Sequence, residues 1–386
     1  MQRLTYKFRL YPNKNEEVKL RETLELCRFT YNKLLEELNK QKNKDKNVLQ
    51  HYILSLKEKF PNLNKVYSKV LQYENNRMFY NLRSLSKLKK KENKIGSLRF
   101  KGKGFFKTFT YNQSGFKIIV NKARHNKLYL SKIGEIPFIK HRDIEGKIKQ
   151  ITIKKCNSNK WFCYIIVENN SVIELTKNKK RVGLDLGIKN YIYNSDKEHI
   201  KNPKYLENSL SKLKKLGRKL SKKKKGSKNR MKAKIKFAKL HEKILNQRND
   251  FLHKISTYYI KKYGLIGVEK LNINEMIKNN NLSRLILDSS WGKFVKLIEY
   301  KAESAGVQVI KVDARGTTQN CSSCGVKVRK KLKERVHNCK CGLKIDRDYN
   351  SSLNILKRAT VGNTGINAWG NVSSETSMNQ ELQSIE

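Results

Sequence analysis

Four cysteines stand in two close pairs, Cys321-Ser-Ser-Cys324 and Cys339-Lys-Cys341, with 14 residues between them. Two such knuckles can converge on one tetrahedral ion, and four thiolates at about 2.3 Å favour redox-inert Zn²⁺. One structural zinc per chain is expected, because a closed S4 shell leaves no coordination position for a substrate. His337, two residues before Cys339, is the alternative ligand in place of a cysteine. The remaining cysteines, Cys27, Cys156 and Cys163, are isolated, and Cys27 falls on an apolar helical stripe where it reads as a small core residue.

Three acidic residues sit in unusual company. Asp185 lies inside the apolar run Val182-Gly-Leu-Asp-Leu-Gly187, Glu269 closes Leu265-Ile-Gly-Val-Glu269, and Asp348 opens the last helical pattern in Asp346-Arg-Asp348-Tyr-Asn350. A carboxylate in an apolar strand is costly to bury unless cations or hydrogen bonds meet it. The three are 84 and 79 residues apart, so only a fold can bring them together. Three converging carboxylates can bind two Mg²⁺ ions about 4 Å apart, which activate water, orient a phosphodiester and stabilise the leaving oxygen. The plain alternatives are a helix N-cap for Asp348 and a solvated strand end for Glu269.

Such chemistry would act on a polyanion, and the charge of the chain asks for one. The 386 residues carry 86 Lys and Arg against 33 Asp and Glu, a net charge of +53 and a pI near 10.1. Self-repulsion of that size is tolerated when a nucleic acid neutralises it. Between Ser211 and Lys234, 13 of 24 residues are Lys or Arg, among them Lys222, Lys223, Lys224, Lys225 and Lys228, and phosphate contact is expected there. Arg99, Lys101 and Lys103 alternate with Gly102 and Gly104, which allow close backbone approach to a phosphate or groove. Tyr111, Asn112 and Gln113 offer a stacking ring and amides able to read base edges. No run approaches the roughly 18 apolar residues of a spanning helix, and MQRLTYKFRLYP lacks the apolar core of a signal peptide. No membrane partner and a cytoplasmic location, nucleoid-associated when on DNA, are therefore expected. Hydrophobic residues make up 38% of the chain, enough for folded cores.

The elements that must position these groups follow from periodicity. Residues 4 to 10 alternate apolar and polar, a strand with one wet face. Leu20, Leu24, Cys27, Tyr31, Leu34, Leu35 and Leu38 form one helical face, and helical patterns continue to about residue 90. Short strands joined by Gly and Asn turns fill 96 to 175, an all-β unit that the first strand can join, leaving the helices as an insertion. A new unit begins at 181 to 193. Two long helical patterns occupy 208 to 260, broken at Gly226-Ser227. A strand at 265–269, a helix from Trp291 to Ala305, a strand at 307–313 and a helix from Tyr349 to Arg358 close the fold. The tail from Ala359 to Glu386 has no Lys or Arg and reads as disordered.

Taken in order, these segments resemble a known family. KFRLYPNKNEE with CRFTYNKLLEE, RFKGKG with FTYNQSGFKI, VGLDLGIKN, GVEKLNIN, TTQNCSSCG and CGLKIDRDYNSSLNIL are similar to the TnpB-type proteins of small insertion elements. That family, long described as transposases, is related to type V CRISPR effector nucleases. The likeness covers residues 1 to about 358. It implies a multidomain α+β chain with a β-barrel wedge domain (1–12 and 96–178) carrying a helical recognition insertion (13–95). A RuvC-like nuclease of RNase H fold would follow (179–314 and 344–358, with a basic helical hairpin at 208–262), interrupted by a zinc ribbon (315–343), ahead of the tail (359–386). Carried over by motif, Asp185, Glu269 and Asp348 become the catalytic triad, with Asp348 rather than Asp346 as the ligand of the DRD motif. The single residue between Cys339 and Cys341 departs from the two found in many relatives.

The resemblance also implies the activity: an RNA-guided, Mg²⁺-dependent DNA endonuclease, using a guide RNA from the element's end and reading a short flanking motif in double-stranded target DNA. A guide-independent transposase acting in DNA recombination would use the same three acids. A non-catalytic nucleic-acid binder would leave Asp185 in its apolar strand without a reason.

Overall fold

Alternation along the first ten residues makes β1 (Gln2–Leu10), and Pro12 ends it before α1 (Lys14–Lys40). Asn13 caps that helix: its side chain accepts from Glu16 N at 2.8 Å while the Glu16 carboxylate accepts from Asn13 N at 2.8 Å. This is a computed structural model that describes residues 2–41, 44–90, 96–120, 126–169, 176–331 and 334–361. The chain divides into two units, Met1–Ser171 with Lys223–Lys239, and Val172–Lys222 with Leu240–Glu386. Among the described residues no helix is long and apolar enough to cross a membrane.

In the first unit α2 (Lys46–Lys59), a short 3₁₀ turn (Pro61–Lys65) and α3 (Ser68–Lys89) follow α1. The strands are β2 (Thr108–Asn112), β3 (Phe116–Ile119), β4 (Asn126–Leu130), β5 (Gly134–Phe138), β6 (Lys147–Lys155) and β7 (Trp161–Asn169). They form one antiparallel sheet in the order β2-β6-β7-β1-β5-β4-β3. The two edges, β2 and β3, are consecutive in the chain and joined by only three residues, so the sheet must curl until its edges nearly meet. No ladder closes it among the described residues. β1 lies mid-sheet, paired with β7 along its whole length, so the three helices are an excursion between β1 and β2. All seven residues of the α1 stripe are buried, and burial pushes the Cys27 thiol well above its usual range.

The second unit holds β8 (Arg181–Leu186), β9 (Asn190–Asn194), β10 (His199–Lys201), α4 (Tyr205–Ser221), and α5 (Lys228–Lys262), whose N-terminal part groups with the first unit. Next come β11 (Leu265–Glu269), α6 (Ile273–Met276), α7 (Ser283–Ser289), α8 (Trp291–Ala305) and β12 (Gln308–Val312). The chain then forms a two-stranded ribbon of β13 (Val336–Asn338) and β14 (Lys344–Asp346) before α9 (Arg347–Val361). The main sheet runs β10-β9-β8-β11-β12, with β8, β11 and β12 parallel. Parallel strands are covered on both faces, which explains why all five residues of β11 are buried. The architecture is mixed α and β. α9 starts two residues before the expected helix and runs three beyond it, burying Ala359. The rest of the expected tail, 362–386, lies outside the described residues.

One contact sets the height of α9 above the sheet. Gly183 and Gly267 are register partners on β8 and β11. A Cβ on Gly183 would stand 2.2 Å from the Ser352 carbonyl oxygen and 2.6 Å from Leu356 N; one on Gly267 would stand 2.9 Å from the Ala359 Cβ. The helix backbone therefore rests where side chains would otherwise be. Gly183→Ala should cost roughly 1–3 kcal/mol by forcing α9 away. Urea unfolding of the variant checks this, and an unchanged midpoint would contradict so close an approach.

Candidate active site and metal centre

Asp185 and Glu269 each lie one residue beyond the register pair Leu184 and Val268, and two beyond the paired glycines. Side chains two apart on a strand share a face, so both carboxylates emerge on the face that α9 covers, from strands about 4.8 Å apart. β8 and β11 thus align two residues that are 84 apart in the chain. The third acid comes from the first turn of α9. Asp346 caps that helix, accepting from Asp348 N at 2.8 Å and Tyr349 N at 3.2 Å. The capping role open to Asp348 from its sequence position is therefore taken by Asp346, and the Asp348 carboxylate acts on Asp185.

Asp185 is 8% exposed and Glu269 7%. Burial, then the Glu269 and Asp348 carboxylates, hold the Asp185 carboxyl well above the ordinary range. Burial also raises Glu269, partly offset by the Thr317 hydroxyl, which donates to its Oε1 at 2.5 Å. Asp348 is raised by burial and by Asp346, against the pull of Arg335, whose guanidinium lies 3.7 Å away. The buried Ser351 hydroxyl faces both Asp185 and Glu269 and favours their charged forms, yet closes no well-formed hydrogen bond to either. Basic side chains pull against burial: Arg347 favours the charged form of Asp185, Arg358 that of Glu269, and Arg335, Arg347 and Lys189 that of Asp348. Burial outweighs these cations at all three carboxyls, and a divalent ion would add the positive charge that keeps them ionised.

Thr317 belongs to the loop that leads into the cysteines, and α9 fastens that loop. Asn354 Nδ2 donates to the carbonyls of Thr317 (2.9 Å) and Asn320 (2.7 Å). Asn350 Nδ2 donates to Asn320 O at 2.8 Å, and its Oδ1 accepts from Ser322 N at 2.9 Å. Sequence reasoning passed over Thr317, Ser351, Asn350 and Asn354. Two asparagines at i and i+4, poor helix formers on the inward face of a helix, were a readable sign that the helix fastens something. A glycine two residues before an acid in both strands was another, since glycine in a strand interior marks close approach.

The four cysteines do meet. Their sulfurs all lie within 4.8 Å of one another, with Cys321 Sγ 3.7 Å from Cys341 Sγ and Cys324 Sγ 3.5 Å from Cys339 Sγ. A tetrahedron with bonds of about 2.3 Å has edges of about 3.8 Å, so the set fits a metal ion. The short second knuckle closes through Gly342 N, which donates to Cys339 O at 3.0 Å. His337 stands outside the group: its ring is buried on β13, meets the Lys330 ammonium through Nδ1 and favours the Cys321 thiolate. For Cys321, burial opposes the charged form, but the Cys324 and Ser323 amides and His337 prevail and bring it down to about 6. For Cys324, the Val326 amide favours the thiolate, yet the neighbouring sulfurs push it up to about 12. Sulfurs crowded without a cation compete in this way, and a divalent ion removes the competition.

The expected nucleic-acid contacts divide. Lys222, Lys223, Lys224 and Lys225 are exposed in the turn between α4 and α5, and Lys228 is exposed at the start of α5. Arg99 and Lys103 are exposed, and Lys101 is half-buried. Tyr111 is a correction: at 1% exposure it lies in the core of the sheet, stacked on Tyr67, with its hydroxyl donating to Ser131 O at 2.7 Å. The curl of the sheet turns its ring inward, so it offers no stacking face. Asn112 is half-buried at the end of β2, and exposed Gln113 accepts from Lys69 Nζ at 3.1 Å.

Comparison with known proteins locates these features. A family model described as "Probable transposase" matches residues 164–280, and one described as "Cas12f1-like, TNB domain" matches 291–355. A third, "Helix-turn-helix domain", matches 1–46, where the chain here has a strand and one continuous helix. A Streptomyces pristinaespiralis protein named "Putative RNA-guided DNA endonuclease" is 33% identical over 208 residues, covering 53% of this chain and 52% of that one. The chain thus spans about half of that relative. "Putative RNA-guided DNA endonuclease InsQ" of Escherichia coli K12 is 27% identical over 388 residues, 92% of each chain. "CRISPR-associated endodeoxyribonuclease Cas12f1" of Sulfoacidibacillus thermotolerans is 30% identical over 119 residues, 30% of this chain and 28% of that one.

Metal analysis of the purified chain should find about one equivalent of zinc, and Cys324→Ser should lose it and loosen the ribbon. Intact protein free of zinc would overturn the assignment.

Proposed function

We propose that this chain, which resembles the TnpB-type proteins of insertion elements in segments running from residue 1 to 355, is a transposon-encoded, RNA-guided DNA endonuclease. Its partners are then a guide RNA from the element's end and double-stranded target DNA bearing a short flanking motif. The names of the relatives support the class. The domain assignment goes with it: 1–12 and 96–178 as wedge, 13–95 as recognition insertion, 179–314 and 344–358 as RuvC-like nuclease, 315–343 as zinc ribbon.

The observation that supports the reading is that Glu269 of β11 and Asp348 of α9 both act on buried Asp185 of β8 and raise its carboxyl. Asp185, Glu269 and Asp348 would hold two Mg²⁺ ions, which supply Lewis acidity and a nucleophilic water for phosphodiester hydrolysis. The chain does the rest with its own side chains. Thr317 fixes the orientation of Glu269, Asp346 caps α9 so that Asp348 stays in its first turn, and Ser351 favours the charged forms of Asp185 and Glu269. The exposed lysines of the α4–α5 turn hold phosphates.

Protein loaded with its co-purified RNA should cut target DNA in Mg²⁺. Asp185→Ala and Asp348→Ala should lose cutting by orders of magnitude while keeping guide and target binding, and Asp346→Ala should cost far less. Normal cutting by either of the first two defeats the triad. Loss of binding along with cutting would make the acids structural, and cutting without RNA would favour a guide-independent transposase.

Replacing Lys222, Lys223, Lys224 and Lys225 together with Gln should weaken RNA binding and flatten the plot of log affinity against log salt by about three units, some 0.7 per phosphate contact. An unaltered slope would place the RNA elsewhere.

A further inference from the structure

Seven residues of the first unit, Arg99-Phe-Lys-Gly-Lys-Gly-Phe105, present two large apolar rings to solvent. Phe100 is 58% exposed and Phe105 52%, while the next residue, Phe106, is buried against Tyr31. Leaving two phenylalanines out forfeits burial that the neighbouring ring obtains. The segment is nevertheless firmly held. Three residues on one face of α1 clasp its backbone. Asn32 accepts from Lys101 N at 2.8 Å and donates to Lys101 O at 3.0 Å; Arg28 donates to the same carbonyl at 3.0 Å; Glu25 accepts from Gly104 N at 2.7 Å and pairs with Arg28 at 2.9 Å. Ordering has been settled on folding, so little is lost when a ligand arrives.

We infer that Phe100 and Phe105 form a stacking platform for unpaired nucleobases, with Arg99, Lys101 and Lys103 on the flanking phosphates. The segment carries three cations and no acid, the charge complement of a polynucleotide strand. The Lys101 ammonium lies 4.6 Å from the centre of the Phe105 ring, so cation and ring already form one surface. A Cβ on Gly102 or Gly104 would meet nothing within 4 Å, so the space over the loop is open to a base or a sugar-phosphate backbone. Aromatic rings between cations bind single strands without reading sequence, because every base has a flat face. The inference rests on the nucleic-acid reading above for its ligand class, and assigns to the two rings a role that the expected basic contacts did not include.

The test uses full-length protein freed of RNA and two probes, dT20 and rU20, each carrying one 5-iodouracil. Phe100→Ala and Phe105→Ala should each weaken binding of at least one probe by about ten- to a hundredfold, with its salt dependence unchanged. Phe100→Tyr and Phe105→Tyr should retain binding, which excludes misfolding as the cause. Irradiation should crosslink the same probe to the peptide containing residues 99–105, and whether the DNA or the RNA probe responds identifies the strand. If the parent binds both probes, the alanine variants bind within twofold of it and crosslinks map elsewhere, the platform is overturned while the nuclease reading stands. If the parent binds neither probe, the nucleic-acid reading falls and the platform with it.

Discussion

A helix can lie with its backbone against a strand only where the strand has no Cβ. Gly183 and Gly267 supply two such places side by side, and α9 occupies them. Much of the second unit depends on that contact. Each glycine precedes an acid by two residues, so the surface that accepts the helix is the one from which Asp185 and Glu269 project. With the helix this low, the Asp348 carboxylate in its first turn acts on Asp185, and its Asn350 and Asn354 reach the carbonyls and amide of the loop that begins the cysteine ribbon. Acids and cysteines, far apart in the chain, are indexed to one helix.

The ribbon has little else to hold it. Of the six residues in its two strands only His337 is buried, and a metal ion is the usual substitute for a core at this size. Its first knuckle is tied to α9 by Ser322 N, and the same loop presents Thr317 to Glu269. A disturbance at the cysteines therefore has a short hydrogen-bonded route to a carboxylate of the acid cluster.

Charge operates at two ranges. Over the whole chain the +53 draws polyanions, yet it does little for Asp185. In physiological salt, exposed charges are screened beyond about 8 Å, and the lysines of the α4–α5 turn are exposed to solvent. Inside the cluster, burial and like charge prevail and hold Asp185 well above its ordinary range. In a strongly basic chain, burial and neighbouring carboxylates thus outweigh the surrounding positive charge at Asp185.

The cysteine group, the strands that carry Asp185 and Glu269 and the apolar stripe of α1 were all legible in the sequence. Each is a local pattern: knuckle spacing, a carboxylate among β-formers, a helical period. The seven-stranded unit was legible in outline, and its curl emerges only from the pairing order that makes β2 and β3 its edges. Tyr111 shows what a local reading lacks. Beside Asn112 and Gln113 it looks like a recognition residue, but whether a ring faces solvent or core depends on a sheet that pairs residues as distant as Gln2 and Asn169. For Asp346 and Asp348 the structure shows what spacing does not: one is spent on backbone amides and the other acts on Asp185. Residue type and short-range period are properties of contiguous chain, so sequence alone determined which groups exist and which elements bear them. Which groups converge, and at what cost in charge, depends on non-local pairing and on how closely backbones approach, and those only the tertiary structure decides.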